Sequence, residues 1–206
     1  MRQDKLLYFD LETTGTDPQQ HGVIQLAALV EIAGTVVGQY EVSIAPFEND
    51  KIDEEALQVS GSNIGEIYKR LHPKKAYQTF IDVICKHKSG LGGYINRYDK
   101  TDKFHLVGYN ILGFDIPFLR QWFLKNGDKW FGSYFWHPGI DVMALAAEFV
   151  APYRHTLTSF KLADVCRSFG IEVQEDNLHD ALYDVHLTRE LYQTINRLRA
   201  EEGGSK

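Results

Sequence analysis

The stretch Lys5-Leu6-Leu7-Tyr8-Phe9-Asp10-Leu11-Glu12-Thr13-Thr14-Gly15 is an apolar run that ends in two acids. A short continuous apolar run is typical of a strand buried on both faces, so Lys5 to Leu11 is predicted as a strand. Side chains two residues apart leave a strand on the same face, which places Asp10 beside Glu12. Their carboxylates repel each other and follow a buried segment, where unpaired charge is costly. A bound cation would relieve both costs; a surface pair at a strand end is the alternative.

A second acid-bearing segment is Asn110-Ile111-Leu112-Gly113-Phe114-Asp115. It follows a predicted strand, Phe104 to Tyr109, and precedes a helix that Pro117 is expected to open. Because Ile116 precedes proline, we expect it to be extended, which leaves Asp115 in the turn at the C-terminal end of the strand. Ligands commonly bind at that edge of α/β sheets. An acid favoured by the helix dipole is the alternative interpretation.

The third segment, His179-Asp180-Ala181-Leu182-Tyr183-Asp184, precedes most of the last predicted helix, Asp180 to Arg199. One apolar stripe of that helix consists of Leu187, Leu191, Ile195 and Leu198. Asp184 lies three residues before the stripe and therefore faces the core, where a metal or a hydrogen-bonded partner is needed. His179 is expected in the loop before the helix, over the site. Asp180 is a rival ligand, although the helix dipole explains its position better.

The remaining pattern predicts a mixed α/β domain over residues 1–200 with a flexible tail over 201–206. Further strands are predicted over Val23 to Ile32, Thr35 to Ile44 and Lys129 to His137, the second of them at or near an edge because its polarity alternates. Further helices are predicted over Lys74 to Lys88, Val142 to Phe149 and Thr158 to Phe169. Gly90 to Lys103 is predicted as a loop whose Tyr94, Arg97 and Tyr98 could stack on bases.

Composition narrows the class of protein. The 206 residues carry a net charge of −6, which disfavours a protein that coats nucleic acid without sequence preference. It does not disfavour an enzyme whose acids hold dications. No apolar run reaches the ~20 residues that span a bilayer, and Met1 to Lys5 shows no secretory signal. Cys85 and Cys166 lack zinc-ligand spacing and are expected as reduced thiols in the cytoplasm.

Taken together, the three segments resemble the DEDDh group of 3′–5′ exonucleases, which includes proofreading domains of DNA polymerases. Asp10 to Gly15 matches the first motif of that group, and His179-x-Ala181-x-x-Asp184 matches the third. Lesser matches are Glu55 to Gly61 and Leu157 to Ile171. Three residues separate Asn110 from Phe114-Asp115, where many members have two; this spacing resembles exonuclease I and the exonuclease domains of family B polymerases. The resemblance implies a ribonuclease-H-like fold with a five-stranded mixed sheet flanked by helices.

The resemblance also implies roles for the site residues. Two Mg²⁺ or Mn²⁺ ions are expected, with Asp10 bridging them, Glu12 and Asp184 completing one and Asp115 helping to hold the other. His179 is expected to act as general base, for which an imidazole is suited. Substrate contacts are expected from the backbone around Thr13 and Thr14, and from Leu11, Asn110 and Phe114, with core packing as the favoured alternative for Phe114.

The substrate implied is DNA, with single-stranded or frayed 3′ ends degraded to 5′-mononucleotides, possible polymerase or replication and repair partners, and no membrane. Two alternatives stay open. An RNA-trimming enzyme like oligoribonuclease or ribonuclease T would use the same metal site, because the motifs do not read the 2′-hydroxyl. A nucleic-acid-binding module without activity would be expected to have lost an acid or the histidine, and none is lost here.

Overall fold

A mixed sheet forms the centre of the structure, a computed structural model that describes residues 4–88, 102–178 and 180–203. Within these residues five strands lie in the order β3-β2-β1-β4-β5. Their bounds are β1 Lys5–Thr13, β2 Val23–Ile32, β3 Thr35–Ser43, β4 His105–Gly108 and β5 Ile140–Asp141. β1 pairs antiparallel with β2 and parallel with β4, so the central strand joins the two halves of the sheet.

Helices cover both faces of this sheet. Their bounds are α1 Glu54–Val59, α2 Ile64–Ile67, α3 Pro73–Lys86, α4 Asp115–Lys125, α5 Val142–Phe149, α6 Leu162–Ser168 and α7 Ala181–Gly203. One hydrophobic core packs α3 and α4 against the sheet, and the other packs α5, α6 and α7 against the opposite face. The predicted fold class, a five-stranded mixed sheet flanked by helices, is confirmed.

The alternation of β1 divides its side chains between the two cores. Leu7, Phe9 and Leu11 are buried in the core of α3 and α4, whereas Tyr8 is buried in the core of α5 to α7. Because successive side chains of a strand point to opposite faces, Asp10 and Glu12 continue the face of Tyr8. Both acids therefore point towards the side of the sheet on which α7 packs.

A buried ion pair ties α7 to the sheet. Glu31 of β2 is 5% exposed, and its Oε2 accepts a hydrogen bond of 2.7 Å from Nε of Arg189 on α7. Close by, the ring of Tyr192 meets that of Tyr8 edge-on, with 6.0 Å between centroids. Since Arg189 lies five residues after Asp184, these contacts set the rotation of the helix that carries the fourth acid.

The segment Lys129 to His137 differs from the prediction of a strand, which is wrong. It contains a 3-10 helix at Phe131–Ser133 and pairs with the sheet only through an isolated bridge between Phe104 and Phe135. The Phe131 and Phe135 rings lie 5.1 and 5.9 Å from that of Phe123, so ring packing on α4 holds the chain in a turn. The fifth strand is the short β5 that follows.

The start of α4 also differs from the prediction. The helix begins at Asp115, so Ile116 is helical rather than extended and Pro117 is the third residue of the helix. Ile116 donates its N–H to the carbonyl of Ile111 at 2.9 Å. Proline is tolerated here because the first helical N–H groups have no partner within the helix, and this outweighs the preference before proline for an extended backbone.

Other boundaries shift by a few residues. α6 is shorter than the predicted Thr158 to Phe169 and follows a 3-10 helix, Ala151–Thr156. α7 continues to Gly203, so residues 201–203 of the expected tail are helical, and residues 204–206 lie outside the described residues. Most of the predicted loop, including Tyr94, Arg97 and Tyr98, lies outside them as well. The single domain over residues 1–200 stays a prediction.

The two cysteines are not joined in a disulfide bond. Cys85 and Cys166 are free thiols, and burial raises the pKa of Cys166 to about 12, so this thiol is a poor nucleophile. In the part of the chain that the structure describes, no helix combines the length and the apolar character needed to cross a membrane.

Candidate active site

The acids of the first two segments meet at one edge of the sheet. β1 and β4 are parallel, with Tyr8 opposite Val107, so both strands end at this edge. Asp10 and Glu12 lie near the end of β1, and Asp115 lies in the first turn of α4, after the end of β4. The N–H of Leu11, between the two β1 acids, donates a hydrogen bond of 3.2 Å to Oδ1 of Asp115.

Asp184 of α7 joins this group from the helical side. The charges of Asp115, Glu12 and Asp184 all act on Asp10, which places the four carboxylates within electrostatic reach of one another. Burial is the largest cause that raises the pKa of Asp10 well above its ordinary value, and these three charges raise it further. The four acids that the sequence singled out therefore converge.

The pKa values of Glu12 and Asp115 are raised as well. Burial raises the pKa of Glu12 to about 7, and the charges of Asp184 and then Asp180 add to this shift. Burial likewise raises the pKa of Asp115, which is 3% exposed, although its hydrogen bond from Leu11 opposes the shift. Each carboxylate thus makes ionisation of its neighbours less favourable, and a cation would reverse that effect.

The donor chemistry of the group fits hard divalent cations. All four side chains offer carboxylate oxygens, which Mg²⁺ and Mn²⁺ prefer. Asp10, Glu12 and Asp184 each keep part of their surface exposed, whereas Asp115 is buried. No three Asp, Glu, His or Cys side chains form a preassembled ligand cluster among the described residues. The fit therefore rests on residue type and mutual electrostatic influence.

Of the two candidate residues before α7, the structure describes Asp180 but not His179. His179 lies outside the described residues, so its expected role as general base stays a prediction. Oδ1 of Asp180 accepts a hydrogen bond of 2.9 Å from the N–H of Tyr183, which caps the first turn of α7. This capping contact explains why an acid stands there, and the stronger influence on Glu12 comes from Asp184.

The loop after β1 is fixed by buried hydrogen bonds. Thr14 is fully buried; its hydroxyl donates to the carbonyl of Lys51 at 2.6 Å and accepts from the N–H of Gly22 at 2.9 Å. The hydroxyl of Thr13 donates to the carbonyl of Gly15 at 2.7 Å. The side chains of Thr13 and Thr14 are therefore engaged within the protein, and the substrate contact predicted for the backbone around them stays a prediction.

A histidine that the sequence analysis missed braces this loop. A Cβ at residue 15 would lie 2.3 Å from Cδ2 of His21, so the imidazole packs flat on Gly15. Its Nε2 lies 3.2 Å from Oδ2 of Asp53, the residue before α1. Only glycine leaves room for this ring. The glycine of the Thr-Thr-Gly motif was therefore the available signal, although the sequence does not show which side chain packs on it.

Asp141 is a second residue that the sequence analysis missed. It ends β5 and caps α5 through a hydrogen bond of 3.0 Å from the N–H of Met143 to Oδ1. The same carboxylate accepts from the N–H groups of Asn110 at 3.1 Å and Leu112 at 3.2 Å. It therefore holds the long turn that leads to Asp115. An acid between a short apolar stretch and a helix was the available signal.

The other predicted substrate contacts have mixed environments. Leu11 is 5% exposed, and Phe114 packs on the ring of Phe118 at 5.0 Å, so both contribute to the core of α3 and α4. Asn110 is exposed and adopts a positive φ of 60°, which places it on the surface of the turn. Their predicted roles stay predictions.

A cleft of about 610 Å³ lies between β2, the end of α1 and the start of α7, and its lining residues do not include Asp10, Glu12, Asp115 or Asp184. Its lining includes Gln25, which pairs with Glu12 across β1 and β2, and Ser60 at the C-terminal end of α1. Tyr183 and His186 of α7 line the opposite side. The mixed polar and apolar lining leaves space for a flexible ligand next to Glu12.

Curated proteins with similar sequences include enzymes that act on nucleic acid. The PolC-type DNA polymerase III of Pediococcus pentosaceus is 25% identical over 191 residues, which is 93% of this chain and 11% of the polymerase. The chain thus spans about a tenth of that relative. Ribonuclease T of Shewanella denitrificans is 26% identical over 94% of this chain and 81% of its own length. The 3′–5′ DNA exonuclease Cap18 of Escherichia coli is 26% identical over 96% of both chains.

A solved structure with a similar fold and a matching family profile both relate this chain to exonucleases. The zinc-bound complex of E. coli exonuclease I with single-stranded DNA superposes with a TM-score of 0.74 at 22% identity, over 97% of this chain and 42% of that one. This likeness concerns the fold. The sequence profile described as "Exonuclease" matches residues 7–192, from β1 into α7. The resemblance that the motifs predicted is therefore confirmed, and the chain belongs to the exonuclease family.

Proposed function

We propose that this protein is a metal-dependent 3′–5′ exonuclease that hydrolyses phosphodiester bonds of DNA. It would act on single-stranded or frayed 3′ ends and release 5′-mononucleotides. The observation that carries the proposal is the convergence of Asp10, Glu12, Asp115 and Asp184 at one sheet edge, where burial and mutual charge raise the pKa of Asp10. Membership of the exonuclease family supports the same reaction class.

The four carboxylates would hold two ions, Mg²⁺ or Mn²⁺. Asp10 would be shared, Glu12 and Asp184 would hold one ion, and Asp115 would help to hold the other. Two bound dications supply charge relief to the phosphate and make a water more acidic. The protein would contribute the carboxylates and their support, since Leu11 orients Asp115 and the ion pair between Glu31 and Arg189 holds α7 on the sheet.

His179 would take the proton of the attacking water. Imidazole suits this task because the pKa of an unperturbed histidine is about 6.5, close to neutral pH. The oxygen of that water would bond to phosphorus while the bond from phosphorus to O3′ breaks, which leaves a 5′-mononucleotide and a shortened strand with a 3′-hydroxyl. A histidine that acts in this way is dispensable for metal binding.

DNA is the favoured substrate because of the match to a DNA exonuclease. Cap18, which is named as a DNA exonuclease, matches this chain over 96% of both lengths. The match to Ribonuclease T favours RNA as the second candidate. The match to PolC-type polymerases suggests a replication or repair partner. Free thiols at Cys85 and Cys166 are consistent with a reducing cytoplasm.

The test uses DNA and RNA oligonucleotides of the same sequence, labelled at the 5′ end, with Mg²⁺ or Mn²⁺. We expect a ladder of products shortened from the 3′ end, faster on DNA. Asp10→Ala and Asp184→Ala should abolish it, whereas His179→Ala should lose most activity but retain metal binding. Near-normal degradation by Asp10→Ala would refute the mechanism. Binding without cleavage by the wild type would instead favour an inactive binding module.

A further inference from the structure

Two exposed cations, Arg154 and Lys161, lie in the segment that connects α5 to α6. β5 ends at Asp141, which starts α5 and binds the N–H of Asn110 after β4. The hydroxyl of Tyr109, also directly after β4, donates a hydrogen bond of 2.7 Å to the carbonyl of Phe160. The residues that precede α6 are therefore held at the end of β4, beside the turn that leads to Asp115.

The path of the chain from α5 to α6 also brings the residues before α6 back to this edge. The rings of Phe149 and Phe169 lie 5.3 Å apart, so the far ends of α5 and α6 meet. Asp141 before α5 and Phe160 before α6 both bind residues that directly follow β4, so the starts of the two helices lie at the same edge of the sheet. The 3-10 helix Ala151–Thr156 and the residues up to Lys161 form the return path to that edge.

Arg154 is presented to solvent in a fixed orientation. Its guanidinium carbon lies 4.3 Å from the centroid of the Phe160 ring, and the residue is exposed. Arg154 has no carboxylate partner among the residues that the structure describes. Asp164, the acid nearest to it in sequence on α6, is instead paired with Arg167 at 2.8 Å. A stacked guanidinium keeps its N–H groups free to bind phosphate.

Lys161 adds a second exposed cation next to the stacked pair. It is the residue before α6, and within the described residues its ammonium has no carboxylate partner. Arg154 and Lys161 thus place two positive charges around Phe160, whose carbonyl binds Tyr109 directly after β4. Neither charge is paired with a carboxylate of the described residues, so both can bind an anion.

We propose that Arg154 and Lys161 bind backbone phosphates of the substrate strand upstream of the nucleotide that is removed. This inference rests on the proposed function, since it assigns the strand to the same site. The recognised group is the phosphodiester of a single strand, which such cations bind without reading its sequence. The residues act in binding and not in bond cleavage, so the rate on very short substrates should not depend on them.

The test compares Arg154→Gln with Arg120→Gln. Arg120 is a matched control because it is exposed, its guanidinium carbon lies 4.6 Å over the ring of Phe131, and it has no acid partner among the described residues. Phe131 belongs to the core on the opposite face of the sheet. Binding of a fluorescent single-stranded oligonucleotide is measured with Ca²⁺ against salt, and cleavage of long oligonucleotides and of a dinucleotide is measured with Mg²⁺.

We expect Arg154→Gln to weaken binding about 5-fold and to reduce the slope of log affinity against log salt by roughly 0.7, the value for one phosphate contact on a single strand. KM should rise for long strands, while kcat/KM for the dinucleotide stays unchanged. Lys161→Gln should act in the same direction. Equal behaviour of Arg154→Gln and Arg120→Gln in the binding assay would overturn the inference. A wild type that binds the strand without cleaving it would count against the proposed function alone.

Discussion

The N–H of Leu11 donates to Oδ1 of Asp115 across 104 positions of sequence. This one bond ties the strand that carries Asp10 and Glu12 to the helix that carries Asp115. Because Leu11 points its side chain into the opposite core, its backbone is held firmly while its N–H orients the carboxylate. The alignment of two acid-bearing segments therefore depends on a residue that contributes no acid.

The raised pKa values predict how stability depends on pH. The folded protein binds protons at Asp10, Glu12 and Asp115 more tightly than the unfolded chain does. Its stability without metal should therefore fall as pH rises from about 5 to about 8, and Mg²⁺ should restore it. Thermal unfolding with EDTA or Mg²⁺ checks this. Asp10→Asn should flatten the pH dependence; an unchanged slope would contradict the assigned cause.

Substitutions of Asp184 and Asp180 should have very different effects on activity. Asp184→Asn removes a carboxylate that acts on Asp10, and we expect activity to fall by more than about 100-fold. Asp180→Asn keeps a good helix cap, because asparagine caps as well as aspartate does. It should retain activity within about 3-fold, since the capping contact does not require a charge. Rates against Mg²⁺ concentration decide, and the reverse ranking would make Asp180 the ligand.

Gly15 should tolerate no side chain. Its Cβ would lie 2.3 Å from His21, so Gly15→Ala should destabilise the protein by about 1–3 kcal/mol through overpacking. Gly132→Ala is the matched control, because a Cβ there meets nothing within 4 Å. Urea unfolding of both variants measures the difference. Equal stability would mean that the imidazole moves aside at little cost.

Asp141→Asn tests the support of the turn before Asp115. An amide whose oxygen takes the place of Oδ1 keeps the bonds from Asn110 and Met143. Its NH₂ then faces the N–H of Leu112, which loses its acceptor. We expect activity to fall about 10-fold, as is usual for residues that orient ligands, with a small change in melting temperature. Full activity with a normal metal dependence would show that the turn needs no such support.

The hydrophobic pattern of the sequence predicted which side chains of the strands and helices face the candidate site. The alternation in β1 placed Asp10 and Glu12 on one face, and the apolar stripe of α7 identified Asp184. Both signals report burial at a fixed period, which is why they hold without knowledge of tertiary contacts. The bounds of β2 were predicted to the residue for the same reason.

Long-range contacts explain what the pattern missed. Asp141 binds backbone N–H groups that lie 31 and 29 residues earlier in the sequence, and its spacing does not encode such partners. His21 packs on the nearby Gly15 within one loop, and a pattern of strands and helices does not report the shape of a loop. The strand predicted over Lys129 to His137 failed because its aromatic residues pack around Phe123 in a turn. Aromatic residues favour strands, yet tertiary packing outweighed this propensity.

The division of β1 between two cores has a consequence for relatives that lose activity. Leu7, Phe9 and Leu11 set the register of the strand, and they do so independently of the acids on the other face. Replacement of Asp10 or Glu12 by a neutral residue would relieve repulsion while it leaves that anchoring intact. A descendant without catalysis could therefore persist as a stable, folded protein, free to acquire a regulatory role.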